Sequence, residues 1–221
     1  MYENVILKTE EFVKKELFKE ATGHDWFHTE RVRNMAKTIA IAENADLFTV
    51  EISALLHDIG DHKLYNGDEN KSSEIIKNWL AQFDTPNSLI NQIIAIVDNL
   101  SYTKSLGKST SELNSVSIEA KVVCDADRLD AIGAIGIARV FAYGGFSGRV
   151  IHDPSILPRE ITSKEIYLNK NNATSVNHFY EKLLNIKDKM YTEKGKIIAQ
   201  ERHDFMISYL DRFYSEWEGK K

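Results

Sequence analysis

Four residues of metal-binding type stand where the sequence otherwise builds apolar helix faces: His28, His57, Asp58 and Asp127. His28 is in register with Val32, Met35 and Ile39, so helical geometry turns its ring inward with them. Taken alone, an inward imidazole is ordinarily a core histidine satisfied by one or two hydrogen bonds. His57 and Asp58 follow directly on Ala54, Leu55 and Leu56. Neighbouring side chains on a helix diverge by about 100°, so an imidazole and a carboxylate there can approach one ion from adjacent directions. The plainer reading of that doublet is a solvated pair at a helix end. Asp127 shares a face with Val123, Ala131 and Ala134, where a carboxylate is expensive to bury unless paired or coordinated. Arg128 is the obvious partner, but adjacent helical residues do not face each other. Taken jointly, two imidazoles and two carboxylates offer mixed nitrogen and oxygen ligation, suited to a divalent ion such as Mn, Fe, Co, Ni or Zn.

The elements that must position these groups are helical. Three prolines in 221 residues, Pro86, Pro154 and Pro158, leave long stretches free of helix breakers, and no segment alternates strictly between apolar and polar residues. The pattern predicts an all-α fold in a single domain. Phe12, Val13, Leu17 and Phe18 stripe a first helix, and a second spans about Trp26 to Glu43. A third, from about Thr49 to Ile59, ends near Gly60, whose missing Cβ suits a C-terminal cap. Ile75, Ile76, Trp79 and Leu80 mark a fourth, and Ile90, Ile93, Ile94 and Val97 a fifth, with Asp84 and Pro86 between them. Ile118 to Phe141 reads as one central helix buried on several faces, although it carries Asp125, Asp127, Arg128 and Asp130. Residues 143–174, with Gly144, Gly145, Gly148 and two prolines, read as an irregular excursion, and 102–115 as an exposed loop. Two amphipathic helices over 175–217 close the chain, the first carrying Val176, Phe179, Leu183 and Leu184, the second Met206, Tyr209, Leu210 and Phe213 among others.

Composition narrows the function. A net charge of -5 argues against a protein whose affinity comes from wrapping nucleic-acid phosphates, while leaving room for a local basic pocket. No stretch approaches the roughly 20 apolar residues of a membrane helix, and residues 1–20 mix acids and bases, so a soluble, unprocessed protein is expected. A single cysteine, Cys124, forbids an intrachain disulfide and fits a reducing interior, the cytoplasm.

The residues resemble the HD-domain metal-dependent phosphohydrolases, named for the His-Asp doublet. The likeness lies in His28 followed by Thr29, Glu30, Arg31 and Val32, in Leu55-Leu56-His57-Asp58-Ile59-Gly60-Asp61, and in Ala126-Asp127-Arg128-Leu129-Asp130. It implies an HD-type helical bundle with a core over about 20–135 and extra C-terminal helices, and it implies that His28, His57, Asp58 and Asp127 are four metal ligands. It extends to a small stand-alone bacterial subgroup through Gly23-His24-Asp25-Trp26-Phe27-His28, His152-Asp153-Pro154, His178-Phe179-Tyr180-Glu181-Lys182-Leu183 and Ala199-Gln200-Glu201-Arg202-His203. Some of that subgroup resemble nucleoside triphosphate pyrophosphohydrolases, which implies a small phosphorylated substrate, a nucleotide, and release of pyrophosphate. The extra histidines of binuclear HD enzymes are missing near Asp98 and Asn99, so one divalent ion is expected, manganese first, with Mg, Fe, Co, Ni and Zn as the other choices.

Such an ion polarises a phosphoryl oxygen or lowers the pKa of a bound water. Asp61, three residues beyond Asp58, matches an acidic residue after the doublet in related HD enzymes and is assigned as general base or water-orienter. Phosphate contacts are assigned to Lys63, Lys104, Arg128 and Arg149, the planar fork of Arg128 being the best suited to bidentate binding. A homodimer is left open as the assembly. His24 and His28 also satisfy the spacing of a zinc peptidase, but Asp25 stands where that motif needs Glu, and Gly23 and Asp25 look like a helix start that leaves His24 outside. A metal-bearing but non-catalytic nucleotide-binding or sensor module is the alternative from another class. Zero turnover with retained tight binding would mark it.

Overall fold

The structure is a computed structural model, and it describes residues 2–18, 25–60, 71–100, 116–160 and 173–220. Among the described residues the chain forms nine α-helices and no strand, as the all-α pattern requires. The elements are α1 (Tyr2–Glu16), α2 (Trp26–Glu43), α3 (Leu47–Leu56), α4 (Lys71–Leu80), α5 (Asn87–Asn99), α6 (Ile118–Asp130), α7 (Gly133–Phe146), α8 (Asn177–Glu181) and α9 (Glu193–Trp217). They group into two compact units, Met1–Ala126 and Asp127–Lys221. No single described helix is long and apolar enough to cross a membrane.

The first unit is organised around α3. Every residue from Thr49 to Leu56 is buried, because a helix that is apolar nearly all round has no face to give to solvent. It packs on α1, α2 and α5, and the core runs from Val13 through Ile52, Leu55 and Leu56 to Ile76, Leu80, Ile90 and Ile93. Local chemistry sets the helix ends. The Asp25 carboxylate accepts from the His28 amide at 2.8 Å to cap α2, and Asp46 does the same for Thr49 at the start of α3. Asn44, at φ 53, ends α2 in the left-handed region. Trp79 of α4 donates to Thr9 Oγ1 at 2.9 Å and stacks on Phe12, which ties α4 to α1.

One acid breaks the apolar surface of α3. Glu51 is buried, and its carboxylate accepts from Arg33 Nε at 2.7 Å and from Lys37 Nζ at 3.2 Å, both on α2. The same guanidinium donates to Glu10 of α1 at 2.7 Å. Arg33 therefore spans all three helices.

Three expectations need correction. Phe18, placed in the core stripe of the first helix, is 82% exposed, because α1 stops at Glu16. The central helix is two helices: α6 ends at Asp130, the chain turns, and Gly133 at φ +75 starts α7, so Ala131 and Ala134 do not continue the Asp127 face. The first closing helix is only α8, five residues long; Lys182 leaves helical geometry at φ -140, and Leu183–Asn185 and Lys187–Lys189 are short 3₁₀ turns. Its apolar spacing nevertheless buries Val176, Phe179 and Leu183.

In the second unit α7 packs on α9. The excursion begins after α7, at Ser147. The amides of Ser175 and Val176 donate to the carbonyls of Val150 and Ile151, each at 3.0 Å. Arg159 holds Glu181 through two parallel bonds of 2.9 and 2.7 Å, a fork-on-carboxylate pair. His152 lies edge-on to the rings of Phe213, Tyr214 and Trp217, at 5.9, 5.4 and 4.9 Å.

Candidate metal centre

Helix α2 delivers His28 in its first turn, and α3 runs out into His57 and Asp58. His57 is the C-cap residue of α3, still at helical dihedrals, so the doublet stands just past the helix rather than inside it. The chain can turn away directly afterwards because Gly60, at φ +73, adopts the left-handed conformation that other residues resist. A Cβ at Gly60 would lie 2.7 Å from Cα of Ser72, so the turn is also pressed against the start of α4.

The three side chains converge. Nε2 of His28 and Nε2 of His57 are 3.2 Å apart, Oδ2 of Asp58 is 3.4 Å from the first and 3.2 Å from the second. The side chains of His28, His57 and Asp58 are 2%, 3% and 12% exposed, so bulk water does not separate these charges and dipoles. Nδ1 of His57 lies 2.8 Å from the carbonyl of Ala54. A carbonyl can only accept, so that nitrogen carries the proton and Nε2 presents its lone pair to the other two donors.

This triangle fits a divalent ion. Ligand atoms about 2.1 Å from one ion stand about 3.0 Å apart at right angles and about 3.4 Å apart at the tetrahedral angle. The three observed edges fall inside that interval, as one face of a coordination shell. Two nitrogens and one carboxylate oxygen also form a donor set of borderline hardness.

The other predicted site residues are distributed as follows. Asp127 is on α6 and opens the second unit. Arg128 donates through Nη1 to the carbonyl of Lys189 and through Nη2 to the Tyr191 hydroxyl at 3.4 Å, with its guanidinium over the Tyr191 ring. Arg149 sits after α7 with its guanidinium 5.9 Å from the centre of the Tyr143 ring. Asp61, Lys63 and Lys104 lie outside the described residues, as does His24. One supporting group escaped sequence reasoning, Glu51, which was signalled by being the one acid in α3. Asp130, already noted among the charges of the expected central helix, is tied to Arg139 of α7.

The family model for the HD domain matches residues 26–132, which takes in His28, the His57-Asp58 doublet and Asp127. The chain belongs to the HD superfamily of hydrolases, whose general kind is the metal-dependent phosphohydrolase. It is 36% identical to the Bacillus subtilis protein YpgQ over 208 residues, 94% of this chain and 91% of that protein. The crystal structure of YpgQ in complex with ADP matches with a TM-score of 0.74 at 33% identity, covering 98% of this chain and 97% of that one. An HD-superfamily hydrolase from Bacillus thuringiensis matches at 39% identity and a TM-score of 0.79 over 99% of both chains. A protein from Lactobacillus plantarum matches at 34% identity and a TM-score of 0.81 over 98% of both.

Proposed function

We propose that this protein hydrolyses a phosphoanhydride or phosphate ester of a nucleotide in a metal-dependent reaction, and that a nucleoside triphosphate is cleaved to monophosphate and pyrophosphate. The observation that carries the metal dependence is the convergence of His28, His57 and Asp58 at 3.2 to 3.4 Å. Support for a nucleotide comes from YpgQ, a relative crystallised with ADP. Asp127 is assigned as the fourth ligand, on its membership of the matched HD segment. Manganese is the assigned ion. When bound, it supplies charge neutralisation at the phosphoryl oxygens and acidifies an attacking water.

The remaining work falls to the chain itself. Asp61 takes the proton of the water as its oxygen attacks phosphorus, and Lys63, Lys104, Arg128 and Arg149 neutralise the charge carried away by the leaving pyrophosphate. Arg128 is oriented by the Lys189 carbonyl and the Tyr191 hydroxyl, and its planar fork suits bidentate phosphate binding. We assign the activity to the cytoplasm, where the buried thiol of Cys124 stays reduced.

The test is to load the protein with single metals, incubate it with a panel of nucleotides and separate phosphate from pyrophosphate. The expected result is manganese-dependent pyrophosphate release that a chelator stops. Absence of turnover across all metals and nucleotides, with tight nucleotide binding, would replace this reading by a sensor module. Asp61→Asn should keep metal and nucleotide affinity and lower kcat by ~10²- to 10⁴-fold.

A further inference from the structure

We propose that Arg202 of α9 is a positioning residue for Asp127, holding the end of α6 so that the Asp127 carboxylate is fixed in place. The inference rests on the reading of Asp127 as a metal ligand.

The last turn of a helix leaves its carbonyls without intrahelical partners. Asp127 sits in that turn of α6, and the three residues after it are each fastened from elsewhere in the second unit. Arg128 is held by the Lys189 carbonyl and Tyr191. The carbonyl of Leu129 accepts from Nη1 of Arg202. Asp130, 4% exposed, is paired with Arg139. The Arg202 bond reaches the α6 backbone from α9, across 73 residues of sequence.

The turn is shaped to admit this arginine. A Cβ at Gly133 would lie 2.9 Å from Cγ of Arg202 and 3.1 Å from its Cβ, so the arginine stem occupies the space a side chain would need. Burial pushes the Arg202 guanidinium below its ordinary pKa, with the Asp130 carboxylate opposing that shift. Burying a guanidinium is costly unless its contacts repay it. A carboxylate that must meet an ion within about 0.5 Å gives that cost a purpose.

The experiment is a Mn²⁺ titration, read by the electron spin resonance of the free ion, on folded wild type, Asp127→Ala, Arg202→Ala, Arg202→Lys, the double variant Asp127→Ala/Arg202→Ala, and Arg159→Ala. The last breaks an ion pair elsewhere in the same unit. Arg202→Ala is expected to weaken Mn²⁺ binding by about 10- to 100-fold. Arg202→Lys, which can still donate to a carbonyl, recovers part of the loss. The double variant should bind no more weakly than Asp127→Ala alone, and Arg159→Ala should bind as wild type does. If Asp127→Ala itself binds normally, the ligand reading falls, and the inference with it. If Asp127→Ala is impaired but Arg202→Ala is not, the inference alone is wrong. An equal Arg202 effect with and without Asp127, or an equal loss in Arg159→Ala, also overturns it. Should Arg202→Ala fail to fold, Arg202→Gln carries the same comparison.

Discussion

Replacing Arg33 by Met removes a buried tie between α2 and α3. The guanidinium donates to Glu51 through Nε at 2.7 Å and to Glu10 at 2.7 Å, and the Glu51 side chain is only 6% exposed. Breaking a buried pair by removing one partner costs about 3 to 5 kcal/mol, because the remaining charge is stranded. Lys37 stays 3.2 Å from Glu51 and is itself 38% exposed, so part of the charge remains balanced and the lower end, about 3 kcal/mol, is expected. For a chain of this length that corresponds to a fall in Tm of about 6 to 12 °C. Glu10 keeps Lys14, so the loss is expected to arise at Glu51. The same variant should bind Mn²⁺ more weakly, since α2 carries His28 and α3 leads into His57. The double variant Arg33→Met/Glu51→Leu removes both charges and should return to within about 1 kcal/mol of wild type. Urea denaturation and a Mn²⁺ titration on wild type and the two variants measure these effects. A single-variant cost below about 1 kcal/mol would place the pair with exposed salt bridges and refute the reasoning, as would a double variant no better than the single one.

Asp58→Ala should lose metal and hydrolysis together while circular dichroism stays helical, and full chelator-sensitive turnover in that variant would contradict the doublet assignment. Gly60→Ala must adopt φ +73 and press a methyl to 2.7 Å from the Ser72 backbone, so a loss of about 2 to 4 kcal/mol is expected in denaturant melts. His178 has its pKa pushed down from 6.5 to about 4, chiefly by burial and further by the nearby cations Lys182 and Arg149. The unfolded chain therefore binds one more proton than the folded chain between pH 4 and 6.5. Stability should rise through that window by on the order of 3 kcal/mol. Denaturant midpoints at several pH values check this, and His178→Asn should flatten the rise.

The convergence of His28, His57 and Asp58 as a candidate metal site was legible because chemistry and burial disagree there: polar ligand types occur in register with Val32 or directly after Leu56, and polar groups are not buried without cause. The start of α2 was legible because its signal at Asp25 is local. The third helix, expected to run to about Ile59, ends at Leu56, and Gly60 serves the turn after it. The break between α6 and α7 was not legible. A glycine inside a small, apolar run is compatible with a continuous helix, and what occupies the space at Gly133 is the stem of Arg202, far away in sequence. The same limit hid Arg33 with Glu51, since the acid is conspicuous but its partner is 18 residues off. Phe18 misled in the opposite direction: its spacing fits the stripe, but α1 has already ended.

The distances along the chain that separate these partners also set an order of assembly. The proton on His57 is fixed by a carbonyl 3 residues away, the tie between α2 and α3 spans 18 residues, and His28 meets His57 across 29. Contacts that close short loops form fast, whereas the bond from Arg202 to Leu129 must wait for 73 residues. During synthesis, three donors of the metal face can thus be in place before α9 has been made. A nascent chain at that stage carries three of the four proposed ligands, His28, His57 and Asp58, while the end of α6 still lacks its bond from Arg202.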